Sequence, residues 1–345
     1  MNKYISENNN IFTVPASIRS WLQVQKIVVT GGSGAIGRRL IRRLVDAGAK
    51  NIVSYDLAPI HADYLHLAPG LSIEQIQGDI LDLEKSKKVF QDCTVLFHLA
   101  ALINVRDSLA DPIHYFHINS LGTAYVLEAS RRSGIKNIIY SSTCHVYGVP
   151  LQLPVNEDHR TQPVSMYAAT KLAGEATVQG YAASYGATCH IARLSNLYGA
   201  SFEPATAFSL AINQALSGEM ISLRNLQSIR DFIHVDDVLQ GLIRLAYLSD
   251  DQALSGAQIV NLSTGIGTSI INIAEILAET AAKYGLPKPA IRQAQEDPPE
   301  LIPELIIDNS CLTEMTGWTP GIGIEEGINI AAGEFLGLKD KKVSR

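Results

Sequence analysis

The sequence is poor in cysteine, has no long apolar run and carries no excess of positive charge. Its 4 cysteines among 345 residues form no Cys-x-x-Cys pair, which argues against a disulfide scaffold or a zinc site and favours free thiols in a reducing cytoplasm. No apolar run approaches the roughly 18 residues that span a membrane, and segment 1–25 lacks the apolar stretch of a signal peptide. The net charge is −6 without a basic tail. We therefore expect a cytoplasmic protein with neither a membrane nor a nucleic acid as a partner.

The remaining composition is that of a globular protein without a metal site. Hydrophobic residues make up 46% of the chain and charged residues 18%, and the length suffices for one large or two moderate domains. Two pairs of histidines lie close in sequence, His61 with His66 in a loop and His114 with His117 on a probable helix. Neither pair has a cysteine or an acid at ligand spacing, so no metal is predicted.

The stretch Lys26–Gly37 organises the rest of the chain. Its apolar run Ile27–Thr30 predicts a short buried strand, which is followed by a glycine turn and then by apolar residues at helical spacing. The turn fits G-x-G-x-x-G through Gly32, Gly34 and Gly37, and G-x-x-G-x-x-G equally well through Gly31, Gly34 and Gly37. A strand, a glycine turn and a helix in this order are typical of dinucleotide binding, because the glycines let the backbone approach the pyrophosphate at the start of the helix. The other face of the helix carries four arginines and is expected to be solvated: Arg38, Arg39, Arg42 and Arg43.

An acid at the end of the second apolar run indicates which dinucleotide is bound. Asp56 follows the run Asn51–Tyr55, about 20 residues after Gly37, where an acid accepts hydrogen bonds from the adenosine ribose and repels a 2′-phosphate. No arginine follows Asp56 directly, so NAD is predicted rather than NADP. Asp79, after the predicted strand Leu71–Gln77, is placed to bond the adenine amino group, and capping of the next helix is an alternative interpretation.

Strands and helices continue to alternate beyond this point. Further apolar runs end at Leu99 and Ser141, and the sequence between them predicts a long helix over Asp111–Arg132. This alternation requires a parallel sheet with right-handed crossovers. The small residues Ala100 and Ala101 after the fourth strand allow the backbone to approach a cofactor.

Tyr167 and Lys171 share one face of a predicted helix, at the i and i+4 positions. A lysine ammonium close to a phenol lowers the pKa of the phenol, as does the positive nicotinamide ring, so Tyr167 is a candidate general base near neutral pH. The hydroxyl cluster Ser141–Thr143, at the end of the fifth strand, is suited to orienting a substrate hydroxyl. Each feature alone is common, but together with the glycine turn they favour a site for hydride-transfer chemistry.

The chain resembles the extended short-chain dehydrogenases/reductases, specifically the NAD-dependent nucleotide-sugar epimerase/dehydratase family, from Lys26 to about Gly337. The segments that carry the resemblance are Thr30–Gly37, Gly78–Ile80, His98–Ala101, Tyr140–Gly148, Tyr167–Lys171, Arg193–Gly199 and Arg230–Asp237. The resemblance implies an α/β fold, a Rossmann-type doubly wound parallel sheet with a smaller C-terminal substrate-binding α/β region. The expected divisions are an extension over 1–25, an NAD-binding domain with the catalytic residues over 26–195, a mainly substrate-binding region over 196–337 that returns some strands to the sheet, and a tail over 338–345.

The resemblance also implies roles for particular residues. Tyr167 would be the general base and acid, Lys171 would tune it and hold the nicotinamide ribose, and Thr143 would be the third catalytic residue. The implied NAD-binding residues are Gly31, Gly34, Ala35, Ile36, Gly37, Asp56, Asp79, Ile80, Leu99, Ala100, Ala101, Asn119, Ser141, Tyr167 and Lys171. The implied substrate-binding residues are Thr143, His145, Asn196 and Arg230.

Arg230 would clamp a phosphate of the substrate, a use suited to its permanently charged fork. A salt bridge from Arg230 to Asp231 or Asp237 is the alternative interpretation.

Three departures from the family pattern bear on the reaction and the substrate. Members that dehydrate the sugar carry an Asp-Glu pair after the catalytic hydroxyl, where this chain has Cys144 and His145, so dehydration by that route is not expected. His145 remains a candidate acid/base or a polar wall residue. The segments Gln293–Pro299 and Arg224–Gln227 lack the family's second phosphate-binding Arg and its glycine-rich turn. The nucleotide and the sugar are therefore left open.

The leading hypothesis is an NAD-dependent 4-epimerase of a nucleotide-diphosphate sugar, acting through a transient 4-keto intermediate. Alternatives on the same fold are a 4-keto reductase, a decarboxylase and an epimerase at another carbon. A non-catalytic dinucleotide-binding regulator is a second alternative, against which the intact set of Thr143, Tyr167 and Lys171 argues. The resemblance further implies a homodimer joined through the helices near Asp111–Arg132 and Tyr167–Tyr185.

Overall fold

Seven parallel strands form the central sheet of the computed structural model, which describes residues 14–59, 72–199, 206–251, 256–295 and 301–343. Numbered in chain order, its strands are β1 (Lys26–Thr30), β2 (Asn51–Asp56), β3 (Ser72–Gln77), β4 (Val95–His98), β5 (Asn137–Thr143), β6 (Thr188–Leu194) and β10 (Gly256–Leu262). Their order across the sheet is β10-β6-β5-β4-β1-β2-β3. The chain thus reverses its direction of winding between β1 and β4, where doubly wound sheets bind ligands. Leu71, the predicted start of the third strand, lies outside the described residues.

Helices cover both faces of this sheet, which explains why its strands are apolar on both sides. In β1, Ile27 and Val29 belong to one hydrophobic cluster and Val28 belongs to the other. The helices on the first face are α1 (Ala16–Leu22), α2 (Ala35–Asp46) and α9 (Val235–Asp251). The helices on the second face are α3 (Leu83–Val89), α6 (Gly122–Ser133) and α7 (Met166–Tyr185). The predicted doubly wound fold is confirmed.

The predicted long helix over Asp111–Arg132 is interrupted. Its place is taken by α5 (Pro112–Phe116), a π-helical turn (His117–Leu121) and α6, after the separate short helix α4 (Val105–Ala110). The π-helical turn contains Asn119, whose side chain is buried. Such turns occur often at functional sites.

The C-terminal region has its own core beside the main sheet. Its strands are β7 (Asn196–Tyr198), β8 (Ile221–Leu223), β9 (Ile229–His234), β11 (Gly267–Ser269), β12 (Ile291–Gln293) and β13 (Glu304–Leu305). Its helices are α8 (Ala207–Leu216), α10 (Ile270–Lys283), α11 (Ser310–Thr316) and α12 (Ile324–Val343). β9 pairs with β7, β11 and β13, while β8 pairs with β12. Apolar side chains of α8, α10 and α12 form a separate hydrophobic cluster with those of β8.

The boundary between the two regions is crossed twice by the chain. β10 pairs in parallel with β6, and α9 packs on the main sheet, although both come after residue 196. At the other end of the chain, α1 buries Ile18 and Leu22 in the same cluster as α9, so part of the segment predicted as an extension belongs to the main core. Residues 1–13 lie outside the described part of the chain. None of the described helices is long and apolar enough to cross a membrane.

The arginines of α2 are not simply a solvated face. Arg43 makes two hydrogen bonds to Asp236 of α9, at 2.8 and 2.9 Å, and Arg39 forms an ion pair with Glu334 of α12. Arg42 is exposed and pairs with Asp46 one turn further along its own helix. The prediction is therefore wrong for Arg39 and Arg43, which join the helix after the glycine turn to α9 and α12.

We expect the Arg43→Gln substitution to lower the free energy of unfolding by about 2 kcal/mol, because it leaves the carboxylate of Asp236 buried without its charged partner. Burial alone would raise the pKa of Asp236, but the hydrogen bonds and charge of Arg43 outweigh it, and the pKa lies below its ordinary value of 3.8. This stabilisation is therefore present above about pH 4 and is lost as the pH falls through the folded-state pKa.

Urea unfolding measured at about pH 7 and about pH 3 tests both statements. Arg42→Gln is the matched control, because its pair with Asp46 is exposed and should contribute little. Equal unfolding midpoints for the two variants at neutral pH would contradict the prediction.

Candidate active site

The glycine turn after β1 is shaped by close backbone approach. Gly31 has a φ of +72°, and a Cβ added to it would lie 2.7 Å from the backbone nitrogen of Ala100. A Cβ on Gly37 would lie 2.1 Å from the carbonyl oxygen of Gly31. Gly34 is the N-cap residue of α2, which begins at Ala35, and its N–H donates to the Gly31 oxygen at 3.1 Å. The turn is therefore a bare backbone cradle at a helix start, which fits a pyrophosphate.

Asp56 lies beside this cradle at the end of β2. Its carboxylate accepts hydrogen bonds from the backbone N–H groups of Ser33 (3.0 Å) and Ala58 (3.3 Å). A carboxylate has acceptor sites for about four hydrogen bonds, so Asp56 retains capacity for ribose hydroxyls. The contact with Ser33 holds this acid next to the glycine turn, as the prediction of NAD binding requires.

Asp79 and Ile80 follow β3 at the same edge of the sheet. The carboxylate of Asp79 accepts from the N–H of Leu81 at 2.9 Å, whereas Asp82 caps α3 by accepting from Lys85. The alternative interpretation of Asp79 as the helix cap is therefore wrong. Ile80 is buried against α6, where a Cβ on Gly122 would lie 2.6 Å from its side chain.

Asn119 holds the segment after β4 in place. Its amide oxygen accepts from the N–H of Leu102 at 2.8 Å, and its amide nitrogen donates to the Leu102 oxygen at 2.9 Å and to the Thr170 hydroxyl at 3.0 Å. Both amide hydrogens are thus engaged within the protein. Asn119 links Leu99–Leu102 to α7, and a direct contact with NAD would use the remaining lone pair of its amide oxygen.

The predicted catalytic residues come from β5 and the first turns of α7. Thr143 is the last residue of β5, which packs against α7, and its side chain is close enough to the phenol of Tyr167 to lower the pKa of that phenol. Tyr167 follows the N-cap residue Ser165, and its N–H donates to Ser108 at 3.1 Å. Ser141, two residues before Thr143, donates to the backbone oxygen of His98 at 3.2 Å. The hydroxyl and the phenol therefore meet at the carboxyl end of the sheet.

Burial is the largest influence on the pKa values of Tyr167 and Lys171, which both lie on α7. It raises the pKa of Tyr167, and the nearby hydroxyl of Thr143 opposes this only in part. Burial also lowers the pKa of Lys171 to about 7, while the charge of Glu175 acts in the opposite direction. The prediction of a lowered Tyr167 pKa included the positive charge of the nicotinamide ring; the protein's own residues raise this pKa instead, because burial disfavours the phenolate.

A buried ion pair beneath the site was not predicted from the sequence. Glu175 accepts from Arg193 of β6 at 2.7 and 3.0 Å, and also from the hydroxyl of Ser142 on β5. Both charged side chains are buried, and the Arg193 guanidinium lies over the Tyr147 ring at 4.7 Å. The signal in the sequence was an acid one turn after Lys171 and an arginine within an apolar strand, but nothing in it paired the two.

The predicted substrate residues lie around β7 and β9. Arg230 donates to the carbonyl oxygens of Ile302 (2.6 Å) and Pro303 (3.4 Å), and Asn196 donates to that of Asp231 at 3.3 Å. Asp231 in turn accepts from Ser195, Thr264 and Gly265.

Asp237 accepts from the N–H groups of Gly321 and Ile322. The alternative interpretation, a salt bridge from Arg230 to Asp231 or Asp237, is therefore wrong. Arg230 instead fastens the segment around residue 302 to β9.

The two positions after Thr143 begin a short 3₁₀ turn, Cys144–Tyr147. The N–H of His145 donates to the Thr143 hydroxyl at 3.2 Å, and the imidazole side chain is half-buried. Cys144 is buried in a small cluster with Ile302, and burial raises the pKa of its thiol to about 12. Arg230 donates to the backbone oxygen of Ile302, whose side chain packs in the same cluster as Cys144, so this predicted substrate residue lies near the end of β5.

No three His, Cys, Asp or Glu side chains among the described residues are arranged to hold a metal ion. His61 and His66 lie outside the described residues, as do positions 296–299 of the segment expected to differ from the family. The other segment expected to differ, Arg224–Gln227, lies between β8 and β9 and includes Asn225 with a φ of +51°.

Comparison with known proteins gives one consistent result. The model of the NAD dependent epimerase/dehydratase family matches residues 27–262. The putative UDP-glucose 4-epimerase of Methanocaldococcus jannaschii is 32% identical over 311 residues, 88% of this chain and 95% of that protein. The UDP-glucose 4-epimerase of Thermotoga maritima, solved with UDP-glucose, has a TM-score of 0.79 at 25% identity over 91% of this chain and 99% of its own. That of Thermus thermophilus, solved with NAD, has a TM-score of 0.78 at 27% identity over 90% and 99%.

We expect the Gly37→Ala substitution to weaken NAD binding by at least about tenfold, because its Cβ would push α2 away from the turn after β1. NAD released from the purified protein on denaturation, and calorimetric titration of the NAD-free protein, measure the effect. Gly323→Ala is the matched control, since no atom lies within 4 Å of a Cβ at that position. Unchanged NAD binding in Gly37→Ala would show that the turn does not form the cradle.

Proposed function

The chain belongs to the NAD dependent epimerase/dehydratase family and uses NAD, and from this we propose that it is a 4-epimerase of a nucleotide-diphosphate sugar. The observation that carries the proposal is the position of Thr143 at the end of β5, close to the phenol of Tyr167 on α7 and with Lys171 one helical turn further along. A hydroxyl, a phenol and a buried lysine at this point suit the removal and return of a proton from a sugar hydroxyl.

In the proposed reaction Tyr167 Oη takes the proton of the sugar C4 hydroxyl. Thr143 orients that hydroxyl through its own side chain, and Lys171 supplies the positive charge that stabilises the phenolate. Bound NAD supplies a hydride acceptor and donor for C4. Tyr167 returns the proton after the transient 4-keto sugar has turned over in the site, so the net reaction inverts C4 and consumes no cofactor.

The identity of the substrate is proposed from the relatives and from the polar residues near β9. The named relatives are UDP-glucose 4-epimerases, and UDP-glucose is bound in the Thermotoga maritima structure. Asn196 follows the residue that pairs with Thr143 by two positions, Arg230 contacts Ile302 beside Cys144, and a guanidinium is suited to a diphosphate. A UDP-hexose is therefore the first substrate to test. Cys144 and His145 replace the acid pair of dehydratases, which favours epimerisation over dehydration.

We further propose a homodimer joined through α5, α6 and α7. Ile113 and Leu121, in the helical stretch from α5 to α6, are large apolar residues with exposed side chains. A cleft lies between α6 and α7, and its lining includes Leu127, Gly180 and Tyr181 beside the charged Glu128. Two copies of such a surface related by a two-fold axis would bury it in an isologous contact.

The cysteines support a cytoplasmic setting for this enzyme. All four thiols are free, and three of them, Cys93, Cys144 and Cys189, are buried. Burial raises the pKa of each, to about 11 for Cys93 and to about 12 for Cys144 and Cys189, which keeps them unreactive. These side chains act as small apolar core residues in a reducing compartment.

The protein, purified without added cofactor, should change the anomeric proton NMR signals of a UDP-hexose and leave a mixture of two C4 epimers. Tyr167→Phe should lower kcat by about 100-fold or more, because it removes the proton acceptor, while NAD stays bound. Tyr284→Phe is the control, since Tyr284 is exposed on the C-terminal region.

UDP-, dTDP-, GDP- and CDP-sugars form the panel for this NMR assay. Turnover that requires stoichiometric NAD(P)H would identify a reductase instead. Loss of carboxylate carbon as CO₂ from an acidic sugar would identify a decarboxylase. If no sugar is turned over, with or without NAD(P)H, the proposed enzymatic activities are rejected. The non-catalytic dinucleotide-binding regulator is then the remaining hypothesis.

Light scattering should give a mass of about twice the 37.4 kDa chain if α5, α6 and α7 form an isologous interface. Ile113→Asp should shift the protein toward the monomer, because it places a charge in an apolar contact. Ile266→Asp is a control with a similarly exposed residue outside this surface. A monomeric parent protein, or a dimer indifferent to Ile113→Asp, would contradict the proposed interface.

A further inference from the structure

The ammonium of Lys171 lies against the face of an aromatic ring. Its Nζ is 4.4 Å from the centroid of the Tyr140 ring, and both side chains are buried, with 3% and 1% of their surfaces exposed. Tyr140 belongs to β5, three residues before Thr143. The strand that ends at the predicted catalytic hydroxyl therefore also carries the ring that contacts the predicted catalytic lysine.

The ring is held in this position from three sides. The Tyr140 hydroxyl donates to the backbone oxygen of Lys171 at 3.3 Å, and the His98 ring packs beside it with centroids 5.6 Å apart. On α7, a Cβ on Gly174 would lie 2.2 Å from the Tyr140 hydroxyl oxygen. Glycine at 174 thus lets the helix approach the ring closely enough for Lys171 to lie over it.

The acid nearest to Lys171 on its own helix is shared with another cation. Glu175 raises the pKa of Lys171, but its carboxylate is already bound by Arg193 of β6 and by Ser142 of β5. The phenol of Tyr167, one turn before Lys171, has a raised pKa because it is buried, so it adds no charge. Little negative charge is therefore left to favour the ammonium.

The imidazole that faces Lys171 from β4 is also neutral. The Thr123 hydroxyl donates to the Asn119 oxygen at 2.7 Å, so it accepts from His98 Nε2 at 3.0 Å, and His98 Nδ1 accepts from Thr30 at 2.8 Å. Burial and the charge of Lys171 lower the pKa of His98 to about 3. Charged and neutral Lys171 are both accessible near neutral pH, since burial lowers its pKa to about 7.

We propose that Tyr140 is a positioning residue for Lys171. The face of the Tyr140 ring keeps the Lys171 ammonium charged and holds it above β5. The electron-rich face of an aromatic ring attracts a cation, and the attraction is strongest where water is excluded. The inference rests on the proposed function only in that Lys171 acts there as a cation. The contact is a property of the folded protein and is measurable without turnover.

The test is the pKa of Lys171 in the NAD-loaded protein, followed by NMR of ¹³C-labelled lysine from about pH 5 to 10 and assigned with Lys171→Arg. Tyr140→Leu removes the ring and should lower this pKa by about one unit, a tenfold shift toward the neutral amine. Tyr140→Phe keeps the ring face and loses the hydroxyl, so the Lys171 pKa should stay close to that of the parent. An equal Lys171 pKa in Tyr140→Leu and the parent would overturn the proposal.

A second series guards against misfolding of Tyr140→Leu. Phenylalanine analogues with one and three ring fluorines at position 140 keep the shape but weaken the negative potential of the ring face. The Lys171 pKa should fall stepwise with fluorine content, and a constant pKa across the series would refute the ring's electrostatic role. If the parent also turns over a nucleotide sugar, the alkaline limb of its kcat profile should move with the same pKa. Absence of turnover would reject the proposed function but would leave the NMR result intact.

Discussion

The buried ion pair between Glu175 and Arg193 sets the geometry on which the site depends. It ties α7 to β6, and the hydroxyl of Ser142 adds β5 to the same contact. Tyr167 and Lys171 lie on α7 while Thr143 ends β5, so the pair fixes the distance between the two halves of the proposed catalytic set. Two charges buried together need nearly ideal geometry to offset their desolvation. The Glu175–Arg193 ion pair therefore restricts the position of α7 relative to β6, however much or little it adds to the free energy of unfolding.

A second constraint is the close approach of backbone at Gly31 and Gly37, which brings α2 onto the end of β1. Because α2 is in turn joined to α9 by Arg43 and to α12 by Arg39, the turn that is suited to NAD is mechanically continuous with the C-terminal region. Arg230 extends this continuity by holding the segment around residue 302 against β9. The proposed cofactor and substrate residues are thus parts of one connected framework.

The sequence alone was sufficient for the fold and for the proximity of Thr143 to Tyr167, since both follow from local patterns with few solutions. A strand, a glycine turn and a helix specify one another within a dozen residues, and the ends of parallel strands share one edge. Features that depend on distant partners were missed: the pairing of Arg43 with Asp236, and the π-helical turn around Asn119. The direction of the Tyr167 pKa shift was missed for the same reason. Burial is a property of the whole fold, and the spacing of Tyr167 and Lys171 carries no information about it.

The contact of α1 with α9 bears on how the protein can be followed by tryptophan fluorescence. Trp21 of α1 donates to Asp250 near the end of α9 at 2.7 Å, and Trp318, the other tryptophan of the chain, donates to the Asp237 oxygen near its start at 3.1 Å. The indole of Trp21 is partly exposed and that of Trp318 is buried, so the two side chains emit at different wavelengths. The chain therefore carries a natural optical probe at each end of a single helix, and the two emissions separate fraying of the N-terminal segment from loosening of α9 where it meets the C-terminal region.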